Sequence, residues 1–476
     1  MILNEIYPFL TQTIKFKAIR DNSTLVRPGD IFVARKTKYG DGHIYISDAI
    51  YRGAVFIISE RELKYFPSLK VPDSNEEFKR LLSFYYKGHL GMHLCGVTGT
   101  DGKTTTCTII HEITSKLASS VEIGTNGIYS NKYHEYINNT TPSSSILYDT
   151  LEKSAARKIK YAVLEMSSEG ILDGRGEFLM LDAAIFTNIT REHLNTHKTM
   201  SSYAYTKSKL VDMVKNDGLV IINNDMKYKS IILKKCKNKR VITYGINSGD
   251  IVAKIRKYSI SYTIFDIYYK KQFLCQIKSN LVGRYNVYNI LAAFTYLHEI
   301  GFSAKDIKLA LNDYIYVDGR FNYYNTQAPH FIIDFGHTPN AISETLKFVK
   351  TLKYDHIITI LGAQGNKDKG KRKYMGQIAS KLSDILILTS EDPKDESIFS
   401  ILDDLKRKIH KDFYITLSRE TAIKTAFDIA KENDLIIIFG KGNEQYEEIQ
   451  GIKFKHSDLS LINSIKQEKI KALGNA

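Results

Sequence analysis

No hydrophobic run in the chain approaches the ~20 residues needed to cross a membrane. The longest, such as Leu435–Phe439, are strand-sized, which excludes a helical membrane protein. The opening residues MILNEIYPFL lack a basic stretch followed by a long apolar core, so no signal peptide is expected. Cysteine is scarce: Cys95, Cys107, Cys236 and Cys275 stand far apart, without a CxxC pair. That pattern argues against a zinc site or a redox couple and fits a reducing cytoplasm. There is no basic tail, no low-complexity linker, no internal repeat and no aromatic-plus-basic RNA signature. The net charge of +15 therefore reads as a Lys-, Ile- and Asn-rich composition, or as the complement of a polyanionic small substrate, rather than as a nucleic-acid surface.

What is present is chain enough for several cores. At 476 residues, and ~150 per domain, about three domains are expected. Apolar residues at 43% and charged residues at 25% are ordinary for a soluble globular protein. Residues 1–88 read as a small mixed module with short strands at Ile31–Ala34 and Ala54–Ser59. From residue 89 to 316 the pattern becomes strand–loop–helix, with strands at Leu94–Val97, Tyr161–Leu164, Ala183–Phe186 and Leu219–Ile222. Strands separated by helix-length segments predict βαβ units and a mainly parallel sheet. The polar–apolar alternation of Tyr258–Lys278 predicts antiparallel strands at a domain edge. Residues 317–476 repeat the α/β rhythm, with strands at Phe331–Asp334, Ile357–Leu361, Ile385–Leu388, Phe413–Leu417 and Leu435–Phe439. The expected fold class is α/β: a small amino-terminal domain, a central P-loop-like parallel-sheet domain and a carboxy-terminal Rossmann-like domain. The boundaries are tight turns, which suit domains that close on a shared cleft.

The sharpest chemical signal is GVTGTDGKTTT, residues 96–106, between a strand and a helix beginning near Lys103. Glycines let backbone N–H groups approach phosphate oxygens, and the helix N-terminus adds positive potential. Lys103 can bridge β- and γ-phosphates, and the Thr104 hydroxyl can bind Mg²⁺. Val97 occupies the place where the usual Walker spacing needs glycine, so the loop is a variant. Glu165 ends a strand, which puts its carboxylate at the carboxyl edge of the sheet, where ligands bind in open α/β folds. His193 and Lys207, taken singly, read as a hydrogen-bonded histidine and a solvated helix lysine.

TGTDGKTT resembles the ATP loop of the Mur ligases, which build the peptide stem of peptidoglycan. Folylpolyglutamate synthetases share that fold but typically carry Gly-Ser after the lysine, where this chain has Thr104-Thr105. The resemblance implies ATP binding by Gly99, Thr100, Asp101, Gly102, Lys103, Thr104 and Thr105. The segment Thr187–His197, TNITREHLNTH, is similar to the family's TNxxxDHLDxH, which implies Glu165 and His193 as Mg²⁺ ligands with Thr104. Coordination rules alone would not nominate a histidine for magnesium. YAYTKSKL, residues 203–210, resembles the segment whose lysine is carbamylated, which implies Lys207 as an N6-carboxylysine metal ligand; Lys209 is the weaker candidate. GRYNVYNILAA, residues 283–293, implies Asn286 near adenine; Asp318-Gly319-Arg320 implies Arg320 at the phosphates; DFGHTP, residues 334–339, implies Asp334 on the ribose.

Among Mur ligases the MurE type, which adds the third residue of the stem, is the nearest in motif. NSTLVRPGDIFVA, residues 22–34, resembles its DSRxVxPGDxFVA segment, with Ser23 at the position that contacts the UDP-sugar. Asp41-Gly42-His43 matches its DGH turn, and Asn139-Thr140-Thr141-Pro142 its NTTP, where the threonines bind substrate. Ser168 and Arg175 complete the implied UDP-sugar set. Gly440-Lys441-Gly442-Asn443-Glu444 resembles GKGHE, which implies Gly440 and Glu444 on the incoming amino acid. Two departures stand out. The selectivity motif DNPR reads Glu391-Asp392-Pro393-Lys394, and SSHG reads Ser167-Ser168-Glu169-Gly170. Lys394 cannot make arginine's two-pronged carboxylate contact. Asp392 can accept from an ammonium, so lysine or ornithine competes with diaminopimelate as the expected third residue.

The implied activity is ATP-dependent amide ligation onto UDP-N-acetylmuramoyl-L-alanyl-D-glutamate through an acyl phosphate, in a cytoplasmic monomer using Mg²⁺ and ATP, with no nucleic-acid or membrane partner. The competing expectations are a ligase of the same fold for folate or another γ-glutamyl acceptor, and a non-catalytic nucleotide- or nucleic-acid-binding protein.

Overall fold

The computed structural model describes residues 1–37, 40–137, 139–325 and 329–474. The chain forms two compact units, Met1–Cys95 with Leu117–Asp182, and Gly96–Lys116 with Ala183–Ala476. It passes between them along the strands His93–Thr98 and Leu181–Phe186 and the helix Lys103–Leu117.

The first unit opens with a parallel sheet in the order Ile19–Arg20, Ile31–Val33, Phe56–Ser59, Ser68–Lys70. The two inner strands are the apolar runs that the sequence marks. The outer two are only two and three residues long and carry no apolar run. Val26, Phe32, Ala34, Ala49, Ala54 and Ile57 form the core beneath. Farther along, Ser120–Gly124 pairs in parallel with Tyr161–Glu165 and antiparallel with Gly127–Ser130. Glu165 is the last residue of its strand.

The second unit carries the phosphate loop and two sheets. Val214–Asn223, Arg240–Gly245 and Ile251–Tyr258 are parallel neighbours, and Thr263–Tyr269 and Gln272–Ser279 continue them as an antiparallel meander. The meander is where the alternation of residues 258–278 put it. The helix Arg284–Glu299 is buried along most of its length, from Asn286 to Leu297, and packs on these strands. The second sheet runs Asn322–Tyr324, His330–Asp334, Leu435–Phe439, Ile357–Leu361, Ile385–Leu388, Tyr414–Ile415. All but the first are parallel.

This second sheet is covered on both faces, and its sequence says why. Along Leu435–Phe439, Leu435, Ile437 and Phe439 join one apolar cluster while Ile436 and Ile438 join the other. Alternate side chains of a strand point to opposite faces, so an unbroken Leu/Ile run demands a cover on each. The helices Pro339–Val349, Lys369–Leu382 and Ile398–Lys406 supply one cover and Arg419–Ile429 with Ile462 and Ile465 the other. The strand expected over 413–417 shrinks to Tyr414–Ile415, an exposed edge with little to bury. Asp334, Gly362, Glu391 and Gly440 all fall at or just past the carboxyl ends of their strands, which is where a doubly wound sheet presents ligands.

Candidate active site

In the second unit the site begins at the phosphate loop. Gly102 has φ +84°, and a Cβ on it would lie 2.3 Å from Asn289 Oδ1. A Cβ on Gly99 would lie 1.8 Å from Thr187 Oγ1. Both glycines are therefore demanded by the packing. The segment after Phe186 stitches the loop in place. Thr187 Oγ1 donates to the Asp101 carbonyl at 2.7 Å, and Asn188 Oδ1 accepts from Asp101 N at 2.9 Å. Thr100 Oγ1 accepts from Thr190 N at 2.9 Å. Sequence reading had not given Thr187 and Asn188 this bracing role.

Three cations converge on the loop. Lys103 Nζ donates to the carbonyls of Gly99 and Thr100 at 3.1 and 3.0 Å. Lys207 Nζ donates to the Gly99 carbonyl at 2.8 Å and lies 4.8 Å from the centre of the Tyr203 ring. Lys207 is buried, not the solvated lysine it resembles in isolation. Arg320 Nη2 donates to Thr104 Oγ1 at 3.3 Å, with its guanidinium 4.1 Å over the Phe335 ring. Thr105 is buried in the first turn of the helix. His193 takes a left-handed backbone, φ +56°, and is half-buried. Burial, with Lys207 and other lysines nearby, holds its pKa down to about 2, so the imidazole is neutral at pH 7.

Asn286 is buried, donating to the Val282 carbonyl at 2.9 Å and accepting from Asn289 at 3.0 Å. Asp334 caps no helix; Thr338 does that. Its carboxylate accepts from Gly336 N and Thr345 Oγ1, and burial raises its pKa. The Asp101 carboxylate reaches the same region, accepting from Thr338 Oγ1 and Asn340 Nδ2, both at 3.0 Å.

The amino-acid motifs meet at one strand edge. Asp392 and Lys394 both have left-handed backbones, φ +42° and +52°. Asp392 is not a free acceptor: its Oδ1 takes Lys441 Nζ at 2.7 Å and Glu448 N at 2.9 Å. The buried Lys441 thus already pairs with this carboxylate. The same Nζ lies 2.7 Å from Glu444 Oε2. Lys394 Nζ has a longer approach, 3.9 Å, to Glu448 Oε2. Gly440 has φ +111°, and a Cβ there would lie 2.1 Å from Glu391 Oε2. Glu391 is fully buried and neither of its oxygens has a hydrogen bond. Burial pushes its carboxyl up to about 8 against the pull of Arg419. Lys441 and Glu391 lie within the GKGHE- and DNPR-like motifs, but the resemblance assigned neither a role.

In the first unit, Glu165 is held by Thr125, whose N donates to Oε1 at 2.8 Å and whose Oγ1 donates to Oε2 at 3.2 Å. Gly124 leaves room for it: a Cβ there would lie 2.3 Å from Oε1. Thr140 Oγ1 lies 3.0 Å from Thr125 Oγ1. Thr141 Oγ1 donates to the Glu165 carbonyl at 2.7 Å, and Arg175 Nη1 donates to the Thr141 carbonyl at 2.7 Å. Thr141 is thus a brace as well as a candidate contact. Ser168 Oγ is buried without a partner. Ser23 is buried and its hydroxyl, with Arg52, holds the Asp48 carboxylate below its ordinary range. Among the described residues no three His, Cys, Asp or Glu side chains gather as a metal cage.

The profile of the "Mur ligase middle domain" matches residues 97–297, and that of the "Mur ligase, glutamate ligase domain" matches residues 319–442. A UDP-N-acetylmuramoyl-L-alanyl-D-glutamate–2,6-diaminopimelate ligase of Fusobacterium nucleatum is 35% identical over 455 residues, 93% of this chain and 92% of that one. The chain belongs to the Mur ligase family. A second ligase of the same name, from Aquifex aeolicus, is 34% identical across 95% of this Mur ligase and 94% of its own length. A solved structure of a ligase with that name covers 98% of the chain and 99% of its own, at 26% identity and a TM-score of 0.64. The MurF ligase of Thermotoga maritima with ADP, at 19% identity, has the same fold, with a TM-score of 0.68 over 89% of the chain and 94% of its own.

Proposed function

We propose that this Mur ligase joins diaminopimelate to UDP-N-acetylmuramoyl-L-alanyl-D-glutamate at the expense of ATP. The observation that carries the reading is the convergence of Lys103, Lys207 and Arg320 on a loop whose glycines tolerate no side chain. The relatives named above support the acceptor and the amino acid. Residues 1–88 would hold the UDP end with Ser23, residues 89–316 the ATP, and residues 317–476 the amino acid.

The residues then divide the work. The loop amides from Gly99 to Thr105 and the ammonium of Lys103 hold the phosphate oxygens. Arg320 reaches from the carboxy-terminal sheet to spread the charge that develops as a γ-carboxylate oxygen of D-glutamate attacks the γ-phosphorus and the bond to ADP breaks. Gly440 and Glu444 orient the incoming amine. Its lone pair attacks the acyl carbon, the bond to phosphate breaks, and the amine gives up a proton. Asn286 and Asp334 hold the adenosine. Thr140, Thr141, Ser168 and Arg175 line the path of the UDP-dipeptide.

The donor chemistry suits magnesium. In the second unit Thr104 offers a hard oxygen, His193 is a neutral imidazole, and carboxylation of Lys207 would turn a buried ammonium into an oxygen donor. When bound, magnesium supplies positive charge at the substrate phosphates. No helix among the described residues is long and apolar enough to cross a membrane, and the reading takes the enzyme as a cytoplasmic monomer.

Phosphate release tests the reading, with ATP, Mg²⁺ and the UDP-dipeptide against meso-diaminopimelate, L-lysine, L-ornithine or no amino acid. Release that depends on diaminopimelate is expected. Release with lysine alone would overturn the choice of amino acid, and no release with any would overturn the acceptor.

A further inference from the structure

Two consecutive residues of the segment that bears His193 are bound, charge against charge, to the start of one helix of the carboxy-terminal sheet. Glu192 Oε1 accepts from Lys371 Nζ at 2.9 Å, and the two side chains are 4% and 5% exposed. Arg191 Nε lies 3.5 Å from Asp368 Oδ2, and Asp368 is the N-cap of the helix Lys369–Leu382. The fit is close as well as charged: a Cβ on Gly370 would lie 2.4 Å from Arg191 Nη2. The signs alternate on both sides, plus–minus on Arg191-Glu192 against minus–plus on Asp368 and Lys371, so a shift in register would oppose like charges. Between Arg191-Glu192 and the strand end, Thr187, Asn188 and Thr190 are bonded to the phosphate loop. His193 follows directly, in a left-handed backbone that only its surroundings can hold.

We propose that the crossed pairs Arg191–Asp368 and Glu192–Lys371 are positioning residues: they carry the docking of the amino-acid-binding lobe into the placement of His193, so that the metal-binding set is complete only when that lobe is seated. The inference rests on the reading of His193 as a metal ligand given above. A buried ion pair is an apt joint for this purpose, because either charge alone is costly and both are satisfied only in the seated arrangement. Lys371 itself needs no metal contact; it is 178 residues from His193 in the chain and acts through Glu192.

The test is Mn²⁺ binding to the full chain in the presence of ADP, followed by electron paramagnetic resonance, with the melting temperature measured alongside. Glu192→Gln and Lys371→Met are each expected to weaken Mn²⁺ binding at least tenfold, and the double variant to weaken it no further. Arg191→Gln, in which the altered side chain is partly exposed, is expected to do the same to a smaller degree and keeps the test open if the buried variants do not fold. Glu192→Asp, which keeps the charge, should recover most of the binding. Wild-type Mn²⁺ affinity in folded Arg191→Gln, or in any Glu192 or Lys371 variant that folds, with only the melting temperature lowered, would overturn the joint and leave the ligase reading intact. Absence of Mn²⁺ binding by the wild type with ADP would overturn the metal reading and the joint with it.

Discussion

Gly102→Ala puts the phosphate loop to a quantitative test. The residue sits at φ +84°, where a non-glycine residue costs about 1–2 kcal/mol. The added methyl would stand 2.3 Å from Asn289 Oδ1. Asn289 is buried and donates to Asn286 Oδ1 at 3.0 Å, so it cannot swing aside without giving up that bond, worth about 1 kcal/mol. The sum is about 2–3 kcal/mol, or a loss of about 30- to 150-fold at 1.4 kcal/mol per factor of ten. The assay is ADP binding by calorimetry on folded protein. In an Asn289→Ala background the clash is gone and only the backbone strain remains, so the same substitution should cost less there. ADP affinity within threefold of wild type, or an equal loss in both backgrounds, would refute the reasoning.

Three further outcomes follow from the same contacts. Lys103→Met should lower the rate of phosphate release about 100- to 1000-fold, the usual cost of removing one preorganised charge stabiliser, and a rate within tenfold of wild type would contradict its role. Glu391 keeps its proton in the folded chain up to about 8, whereas the unfolded chain gives it up near 4.5, so wild-type stability falls as pH rises through that window. Glu391→Gln should therefore gain stability over wild type in urea at pH 8 and not at pH 4.5; an equal difference at both would refute the assignment. Arg419 Nη2 and Asp458 Oδ2 are 2.6 Å apart and fully buried, and Arg419→Met leaves the buried carboxylate only His456 as a side-chain partner, so urea unfolding should show a loss of about 3–5 kcal/mol, not less than 1.

How far the sequence carries depended on what each position had to satisfy. The strands Ile357–Leu361, Ile385–Leu388 and Leu435–Phe439 were legible to the residue, because a strand buried on both faces must be apolar throughout. The outer strands Ile19–Arg20 and Ser68–Lys70 were not, since so short a strand leaves no period to read. The phosphate loop was legible because its glycines, lysine and threonines answer local demands. Lys207 was ambiguous, since nothing local distinguishes a buried lysine on a short helix from a solvated one. The closure of Asp392 by Lys441 was invisible, as it joins loops 49 residues apart that only the sheet order brings together. The same holds for Glu192 and Lys371, 179 apart.

The central claim is that ATP activates a carboxylate for attack by an amine, and the oxygen of that carboxylate records it. UDP-N-acetylmuramoyl-L-alanyl-D-glutamate labelled with ¹⁸O in both γ-carboxylate oxygens, turned over with ATP, Mg²⁺ and diaminopimelate, should yield the tripeptide product and phosphate bearing one ¹⁸O per molecule by mass spectrometry. Product formed with unlabelled phosphate, or ATP hydrolysed without product, would contradict it.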